Sequence, residues 1–219
     1  MKGPLGMLVS EEDIKELRKF LRGEGIELLE PYSKGTTSVV FKGMAGKKPV
    51  VIKWQRRDSP RRTLWREARI LEMLKGTGVT AEPVLYAEVL GREILVREFL
   101  EGKPIIEADV EKKHLLRIAE KAHLLDVMGV DHGQIQGGKH IIIGEDVWII
   151  DFEKASTQRK PRNLTSAMAM IFLSNNIVSR RVLEKFGIGD DFRKAMRETL
   201  REYKRTMNPS KVFELLASL

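Results

Sequence analysis

Residues 26–55 read IELLEPYSKGTTSVVFKGMAGKKPVVIKWQ and contain the pattern that decides the fold. Apolar and β-branched residues recur in three short runs, at 26–32, 38–44 and 49–55, and glycine-containing segments separate these runs. Such an arrangement is typical of strands joined by tight turns. The stretch therefore predicts three strands of one antiparallel sheet near the start of the chain.

Amphipathic helices are predicted on both sides of these strands. Residues 11–22 place apolar side chains at helical spacing directly after Ser10, which is a favourable N-cap residue. Residues 64–74 show the same periodicity. A strand hairpin with its turn at 90–93 comes next, and the Gly-Lys-Pro sequence at 102–104 breaks the pattern like a short connector.

The rest of the chain is predicted to be mainly helical. Two short strands, HIIIG and VWIID, interrupt the helices and are joined by a turn at 144–146. A sheet with one main helix, followed by a helical part, predicts an α+β fold whose two lobes, 1–101 and 102–219, form one domain. The predicted helices of the second lobe cover residues 110–128, 164–175, 180–186, 190–206 and 210–217.

The composition restricts the possible functions. The 219 residues include no cysteine, which excludes disulfides, thiolate nucleophiles and thiolate metal sites and suits a reducing cytoplasm. The formal net charge of +8 favours a polyanionic partner, although a composition rich in lysine and glutamate is also typical of adaptation to heat. No apolar run is long enough for a signal peptide or a membrane span, so we expect a cytoplasmic protein without a membrane partner.

Two charged residues in apolar surroundings indicate a buried site. Lys53 ends the run VVIK, and a lysine in such a run needs a carboxylate or a phosphate to offset its desolvation. Glu67 is the natural partner because it lies on the following helix, on or beside the apolar face. A solvent-exposed lysine on an edge strand is the alternative interpretation.

Two further segments suit the binding of phosphate and metal. Gly35 lets the backbone approach a phosphate closely, and Ser33 and Ser38 add hydroxyl groups beside it. An ordinary hairpin explains the same segment equally well. Asp151 closes the predicted strand VWIID, where a carboxylate either binds a divalent cation or caps a turn.

An ordered series of motifs runs along the chain. It begins with Gly35, Lys53 and Glu67 and continues with REFLEG at 97–102, HGQ at 132–134 and DFE at 151–153. The series resembles the protein kinase-like superfamily, in particular small archaeal RIO-type and KEOPS-associated kinases and archaeal predicted serine/threonine kinases related to lipopolysaccharide kinases. The resemblance implies a bilobal fold with an antiparallel N-lobe and a reduced, mainly helical C-lobe. The short segment after Asp151 implies that a substrate or partner protein completes the docking surface.

The resemblance also implies roles for individual residues. Lys53 would hold the phosphates of ATP and pair with Glu67, while Asp151 would bind Mg²⁺. The backbone from Glu98 to Leu100 would form hydrogen bonds with adenine. The Gly-rich loop and the apolar walls of the nucleotide site would be formed by Ser33, Gly35, Ser38, Val40 and Val51.

Two positions depart from the family pattern. Gln134 stands where related loops carry an aspartate that orients the acceptor hydroxyl, and Lys139 stands where they carry a metal-binding asparagine. Glutamine can orient a hydroxyl group but cannot take its proton. Asp131 is an alternative carboxylate three residues earlier, and His140 reaches the metal-binding position if one residue is inserted in the loop.

We therefore expect an atypical serine/threonine protein kinase that depends on ATP and Mg²⁺. The alternatives are a nucleotide-binding pseudokinase or RNA-associated module and, third, a small-molecule phosphotransferase. RNA is a candidate partner because basic residues flank the predicted cleft, and an ordinary solvated surface is the competing interpretation. These basic residues are Arg56, Arg57, Arg61, Arg62, Arg159, Lys160 and Arg162.

Overall fold

The computed structural model describes residues 9–59 and 61–219, and the chain divides into two compact units between Phe99 and Leu100. The first unit contains a five-stranded antiparallel sheet, whereas the second is mainly helical and contains a sheet of three strands. The predicted α+β class is therefore confirmed, with a strand-rich first unit and a mainly helical second one.

The sheet of the first unit has the strand order β1-β2-β3-β5-β4. Its strands are β1 (Ile26–Lys34), β2 (Ser38–Ala45), β3 (Lys48–Gln55), β4 (Pro83–Val89) and β5 (Arg92–Glu98). The three strands predicted from residues 26–55 are confirmed as β1 to β3. The turn between β4 and β5 consists of Leu90 and Gly91, whose φ angles of 53° and 70° match the positive values that tight hairpins require.

Helix α1 (Glu11–Gly23) covers one face of this sheet. It begins where the Asp13 amide donates to the Ser10 hydroxyl at 3.1 Å, so the predicted N-cap is confirmed. Burial of its apolar stripe against the sheet stabilises the helix far more than its intrinsic propensity does. The residues that share this core include Ile14, Leu17 and Leu21 of α1 and Phe41, Ile52 and Trp54 of the sheet.

The second unit contains five α-helices within the described part of the chain. They are α3 (Lys112–Val127), α4 (Asn163–Met168), α5 (Ile177–Lys185), α6 (Asp190–Thr206) and α7 (Ser210–Ala217). The predicted helix at 164–175 is divided, since α4 continues as a π-helical turn at Ala169–Leu173. Helix α5 begins three residues before the predicted start, because the Asn176 side chain accepts a hydrogen bond from Ser179 N at 2.8 Å and caps it there.

The small sheet of the second unit corrects one prediction. Its strands are β6 (Gly102–Pro104), β7 (Ile141–Gly144) and β8 (Val147–Ile149). The interpretation of residues 102–104 as a connector was wrong, because they pair with β7 as an edge strand. A Cβ atom on Gly102 would lie 2.6 Å from the carbonyl oxygen of Ile143, so the pairing itself requires glycine. No local β-strand pattern reveals such a strand, since its stability comes from the partner strand.

A buried carboxylate connects three helices of the second unit. Asp126 of α3 accepts hydrogen bonds from Asn163 N at 2.7 Å, Asn163 Nδ2 at 2.8 Å and Leu164 N at 3.1 Å, all at the start of α4. The hydroxyl of Tyr203 in α6 donates to the same carboxylate at 2.9 Å. Burial raises the pKa of Asp126, and the four donors oppose that rise by stabilising the charged form. Helices α3, α4 and α6 are therefore fixed at one point.

The described residues include seven α-helices. None of the helices found there combines the length and the hydropathy needed to cross a lipid bilayer.

Candidate functional site

In the first unit, Lys53 and Glu67 form a buried ion pair. Lys53 Nζ lies 2.9 Å from Glu67 Oε1 and 2.7 Å from Oε2, so both carboxylate oxygens accept a hydrogen bond. Lys53 is 7% exposed and Glu67 is fully buried. The predicted partnership of these two residues is present, and the alternative of a solvent-exposed lysine does not apply. A bidentate charged pair in this setting holds the ammonium group in one orientation.

The strand register places Lys53 on the sheet face opposite α1. Lys53 of β3 pairs with Val40 of β2 and Leu95 of β5, and directly opposed residues point to the same face. Val51 lies two residues before Lys53 and shares that face, because side chains alternate along a strand. Val40 and Val51 are both buried, so the lysine is flanked by apolar side chains as the sequence predicted.

Helix α2 (Leu64–Met73) is held in position by Glu93, a residue that the sequence analysis had assigned to a turn. The Glu93 carboxylate is fully buried and accepts hydrogen bonds from Leu64 N at 3.1 Å and Trp65 N at 3.2 Å. Tyr86 donates its hydroxyl to the same carboxylate at 2.8 Å, and burial together with that carboxylate raises the pKa of Tyr86 to about 12. Glu93 thereby caps the helix that carries Glu67. No local pattern identifies this cap, because it joins two elements distant in sequence.

The Gly35 segment forms the tip of the β1–β2 hairpin. Gly35 N donates to the carbonyl of Ser38 at 2.8 Å, and a Cβ atom on Gly35 would lie 3.2 Å from that carbonyl oxygen. The guanidinium of Arg56 donates to the carbonyls of Gly35 at 3.2 Å and Thr36 at 3.3 Å. The hairpin tip is therefore closed by its own backbone and supported by an arginine from the end of β3.

The backbone at the end of β5 is already hydrogen-bonded on one side. Glu98 N donates to Glu82 O at 2.9 Å, and Phe99 N donates to Pro49 O at 3.0 Å. The carbonyl of Glu98 accepts from Arg97 Nη1 at 3.0 Å and keeps a second lone pair. Recognition of adenine by this segment stays a prediction. Because the N–H groups of Glu98 and Phe99 already donate to other carbonyls, a backbone donor for adenine would have to come from beyond Phe99.

In the second unit, Asp151 follows β8 in a left-handed backbone conformation with a φ of 70°. Aspartate tolerates this conformation better than most residues, yet it still costs on the order of 1 kcal/mol and needs a supporting structure. Its side chain is 34% exposed, and one carboxylate oxygen lies 3.5 Å from Nδ1 of His140. Ile150 N donates to the carbonyl of His140 at 2.8 Å, which holds the two segments together. The structure thus brings together the two predicted metal ligands, His140 and Asp151.

Glu153 adds a second carboxylate to this group. One of its oxygens lies within 4.8 Å of a carboxylate oxygen of Asp151. Magnesium prefers oxygen ligands, whereas the imidazole nitrogen of His140 is better suited to ions such as zinc. The donor chemistry therefore fits magnesium at Asp151 and Glu153 better than at the predicted pair of Asp151 and His140. A metal-binding role for Glu153 was not predicted, because the residue entered the sequence pattern only as the last position of DFE.

His132 connects the loop at 132–134 to the strand that precedes Asp151. Its Nε2 donates to Ile150 O at 2.9 Å, because its Nδ1 accepts from Gln134 N at 3.2 Å and must be unprotonated. The backbone N–H of His132 donates to Asn163 Oδ1 at 2.9 Å. The ring is fully buried, and this burial lowers the pKa of His132 to about 4. His132 is therefore neutral near neutral pH, and both of its ring nitrogens are used to hold the loop in place.

The two candidates for the acceptor-binding residue differ in their surroundings. The carboxylate of Asp131 lies 2.7 Å from Nε of Arg159, and its backbone forms a two-way bridge with Ser156 at 2.9 Å. Gln134 is half-buried, and its side-chain amide forms no hydrogen bond with any other described residue. Gln134 is thus the group with unused hydrogen-bonding capacity, whereas Asp131 is already neutralised by a cation.

Most of the predicted RNA-contacting arginines are paired with carboxylates. Arg56 Nε lies 2.8 Å from Asp58, Arg57 lies 3.3 Å from Asp13, and Arg62 forms an ion pair with Glu88. Arg159 is held by Asp131, as described above. Within residues 9–59 and 61–219, no ion pair is formed by the side chains of Arg61, Lys160 and Arg162.

Comparison with known proteins gives two relatives and no matching family model. A protein of Methanothermobacter thermautotrophicus, named as a probable bifunctional tRNA threonylcarbamoyladenosine biosynthesis protein, is 37% identical over 87 residues. That match covers 40% of this chain and only 16% of the relative.

An uncharacterized protein of Methanocaldococcus jannaschii is 36% identical over 115 residues, which cover 49% of this chain. The same match covers 98% of the M. jannaschii protein. Since nearly all of that relative is matched at this level of identity, the chain belongs to the same protein family as the uncharacterized M. jannaschii protein.

Proposed function

We propose that the protein is an ATP-dependent phosphotransferase of the kinase-like type, which transfers the γ-phosphate to a serine or threonine hydroxyl of a protein acceptor. The observation that carries this proposal is the buried, bidentate pair of Lys53 and Glu67. Burying two charges at this depth is expensive, and a purely structural role would be filled as well by apolar residues. A lysine held in one orientation beside a glycine-containing hairpin is what binding of a nucleotide phosphate needs.

In this proposal each residue of the site has a separate role. Lys53 binds the phosphates and Glu67 orients it, while the hairpin tip around Gly35 covers them. Asp151 and Glu153 would hold a magnesium ion, which would supply neutralisation of the phosphate charge. Positioning and charge neutralisation of this kind provide most of the acceleration in phosphoryl transfer.

Gln134 orients the acceptor hydroxyl in this proposal. Its amide oxygen can accept the hydroxyl proton in a hydrogen bond but cannot remove it, so we expect slow transfer. Asp131 is a weaker candidate because Arg159 already holds its carboxylate at 2.7 Å. The kinase-like resemblance and a relative named for tRNA threonylcarbamoyladenosine biosynthesis are compatible with an ATP-using protein that works beside other proteins or RNA in the cytoplasm.

A second candidate function is that of a nucleotide-binding protein without phosphotransfer. The observation that favours it is the absence of a carboxylate at position 134, together with the neutralised state of Asp131. In that case the pair of Lys53 and Glu67 would bind the nucleotide phosphates, and no phosphate would be transferred.

The test is incubation of the purified chain with γ-labelled ATP and Mg²⁺. We expect label on the protein or on an added protein acceptor, and its loss in Lys53→Met and Asp151→Asn. Lys48→Met is the matched control, since Lys48 is an exposed lysine of the same strand. Equal labelling of wild type and both variants would refute the proposal. ATP binding without any label would favour the second candidate.

A further inference from the structure

A cavity of about 250 Å³ in the second unit is surrounded by positive charge. It lies between the segment before α4 and the end of α6. Lys160, Arg162 and Lys204 line it, together with the hydroxyl-bearing Thr165. All three cationic residues are exposed, and none of them forms an ion pair with another residue in the described part of the chain.

The packed interior of the second unit determines this arrangement. Arg162 directly precedes Asn163, whose backbone and side chain both donate to the buried Asp126. Lys204 directly follows Tyr203, whose hydroxyl donates to the same carboxylate. One buried group therefore fixes two backbone positions that are distant in sequence, and it brings their cationic neighbours to one cavity.

Three cations around one cavity repel each other when no carboxylate lies among them. An anion bound in the cavity relieves this repulsion. Arginine and lysine are suited to phosphate, because guanidinium and ammonium groups donate charge-assisted hydrogen bonds to its oxygens. This unpaired charge is absent from the four arginines that already lie beside carboxylates, which are Arg56, Arg57, Arg62 and Arg159.

The positive charge continues along α6 beyond the cavity. Arg197, Arg201 and Lys204 follow each other at intervals of four and three residues, which places them on one side of the helix. All three are exposed, and no ion pair is found for them among the residues that the structure describes. The helix buries the neighbouring face through Met196, Leu200 and Tyr203, each of which directly precedes one of these cations. At a rise of 1.5 Å per residue the row is about 10 Å long, so it can contact more than one consecutive phosphate of a strand.

We propose that Lys160, Arg162, Arg197, Arg201 and Lys204 form a binding surface for the phosphate backbone of RNA, called here the basic surface. A single small anion would need only the cavity, whereas a regular row of cations fits a polymer of phosphates. The net charge of +8 supports attraction of such a polyanion. This binding goes beyond the proposed phosphotransfer and does not depend on it. Of the basic residues predicted from the sequence to contact RNA, the basic surface keeps Lys160 and Arg162 and adds the three cations of α6.

The test measures binding of the full chain to a fluorescently labelled, unmodified tRNA transcript by anisotropy over a series of KCl concentrations. The test variant combines Lys160→Gln, Arg162→Gln and Lys204→Gln. If three phosphate contacts are lost, the negative slope of log affinity against log salt concentration becomes shallower by about 2. This change corresponds to a loss of affinity of about 100-fold near 0.1 M salt. Replacing both lysines by arginine should preserve binding, since the charge is retained.

The matched control removes the same charge elsewhere, by Lys15→Gln, Lys19→Gln and Arg180→Gln. These three residues are exposed, lie outside the cavity and form no ion pair with other described residues. We expect the control variant to bind the tRNA nearly as well as wild type, and both variants to keep the labelling activity of wild type.

Three results would overturn the proposal. Equal weakening in the test and control variants would mean that only net charge matters. Wild-type affinity in the test variant would mean that the basic surface does not contact the RNA. Displacement of the tRNA by poly-glutamate as effectively, charge for charge, as by unlabelled tRNA would indicate an acidic protein as the partner instead.

Discussion

Replacing Glu67 by glutamine should destabilise the protein by about 3–5 kcal/mol, the usual effect of removing one partner from a buried ion pair. The structure supports a value in this range for two reasons. Glu67 is fully buried and Lys53 is 7% exposed, so water cannot replace the lost charge. Both carboxylate oxygens also accept from the ammonium group, at 2.9 and 2.7 Å, and a neutral amide keeps only one such acceptor.

The double variant Lys53→Met/Glu67→Leu separates stability from function. It removes both charges and leaves an apolar contact of similar volume, so its free energy of unfolding should return close to that of wild type. Nucleotide binding should nevertheless be lost, because no cation remains to bind the phosphates. In wild type, ATP at a hundredfold excess over its Kd should add about 2.7 kcal/mol to the unfolding free energy, and it should add nothing in the double variant.

The assay is urea unfolding followed by circular dichroism, with and without ATP and Mg²⁺, for wild type, Lys53→Met, Glu67→Gln and the double variant. Glu72→Gln is the control, because Glu72 is an exposed carboxylate of the same helix whose ion pair contributes at most about 1 kcal/mol. A loss below about 1 kcal/mol in Glu67→Gln would refute the energetic reasoning. Stabilisation of the double variant by ATP would refute the role of Lys53 in phosphate binding.

Three further predictions concern the second unit. Tyr203→Phe leaves the buried carboxylate of Asp126 with one donor fewer and should lower the free energy of unfolding in urea by about 1.5–3 kcal/mol. Gly102→Ala forces a Cβ atom toward the carbonyl oxygen of Ile143 and should cost about 1–3 kcal/mol, whereas undiminished stability would show that β6 does not pair as described. His132 has a folded pKa of about 4, so the unfolded chain binds its proton first as the pH falls. Between about pH 6.5 and 4, wild type should therefore lose about 3 kcal/mol more stability than His132→Asn, and parallel pH profiles would contradict this.

The sequence by itself determined the regular elements and the central ion pair. The runs at 26–55 specify β1 to β3 because alternation and glycine are local signals that need no distant partner. The predicted bounds of α6 and α7 are confirmed for the same reason, since helical periodicity is read within a few turns. The pairing of Lys53 with Glu67 was predictable because a lysine in an apolar strand requires a nearby carboxylate.

The tertiary structure alone decided how these elements are held together and which cationic side chains stay without a carboxylate partner among the described residues. Glu93 caps α2 from 29 residues away, and Asp126 connects to Tyr203 over a separation of 77 residues. Which arginines are neutralised also depends on such distant carboxylates, as with Arg57 and Asp13, which are 44 residues apart. Buried polar groups take whichever partner the packed fold brings within hydrogen-bonding distance, and no local pattern of residues specifies that partner.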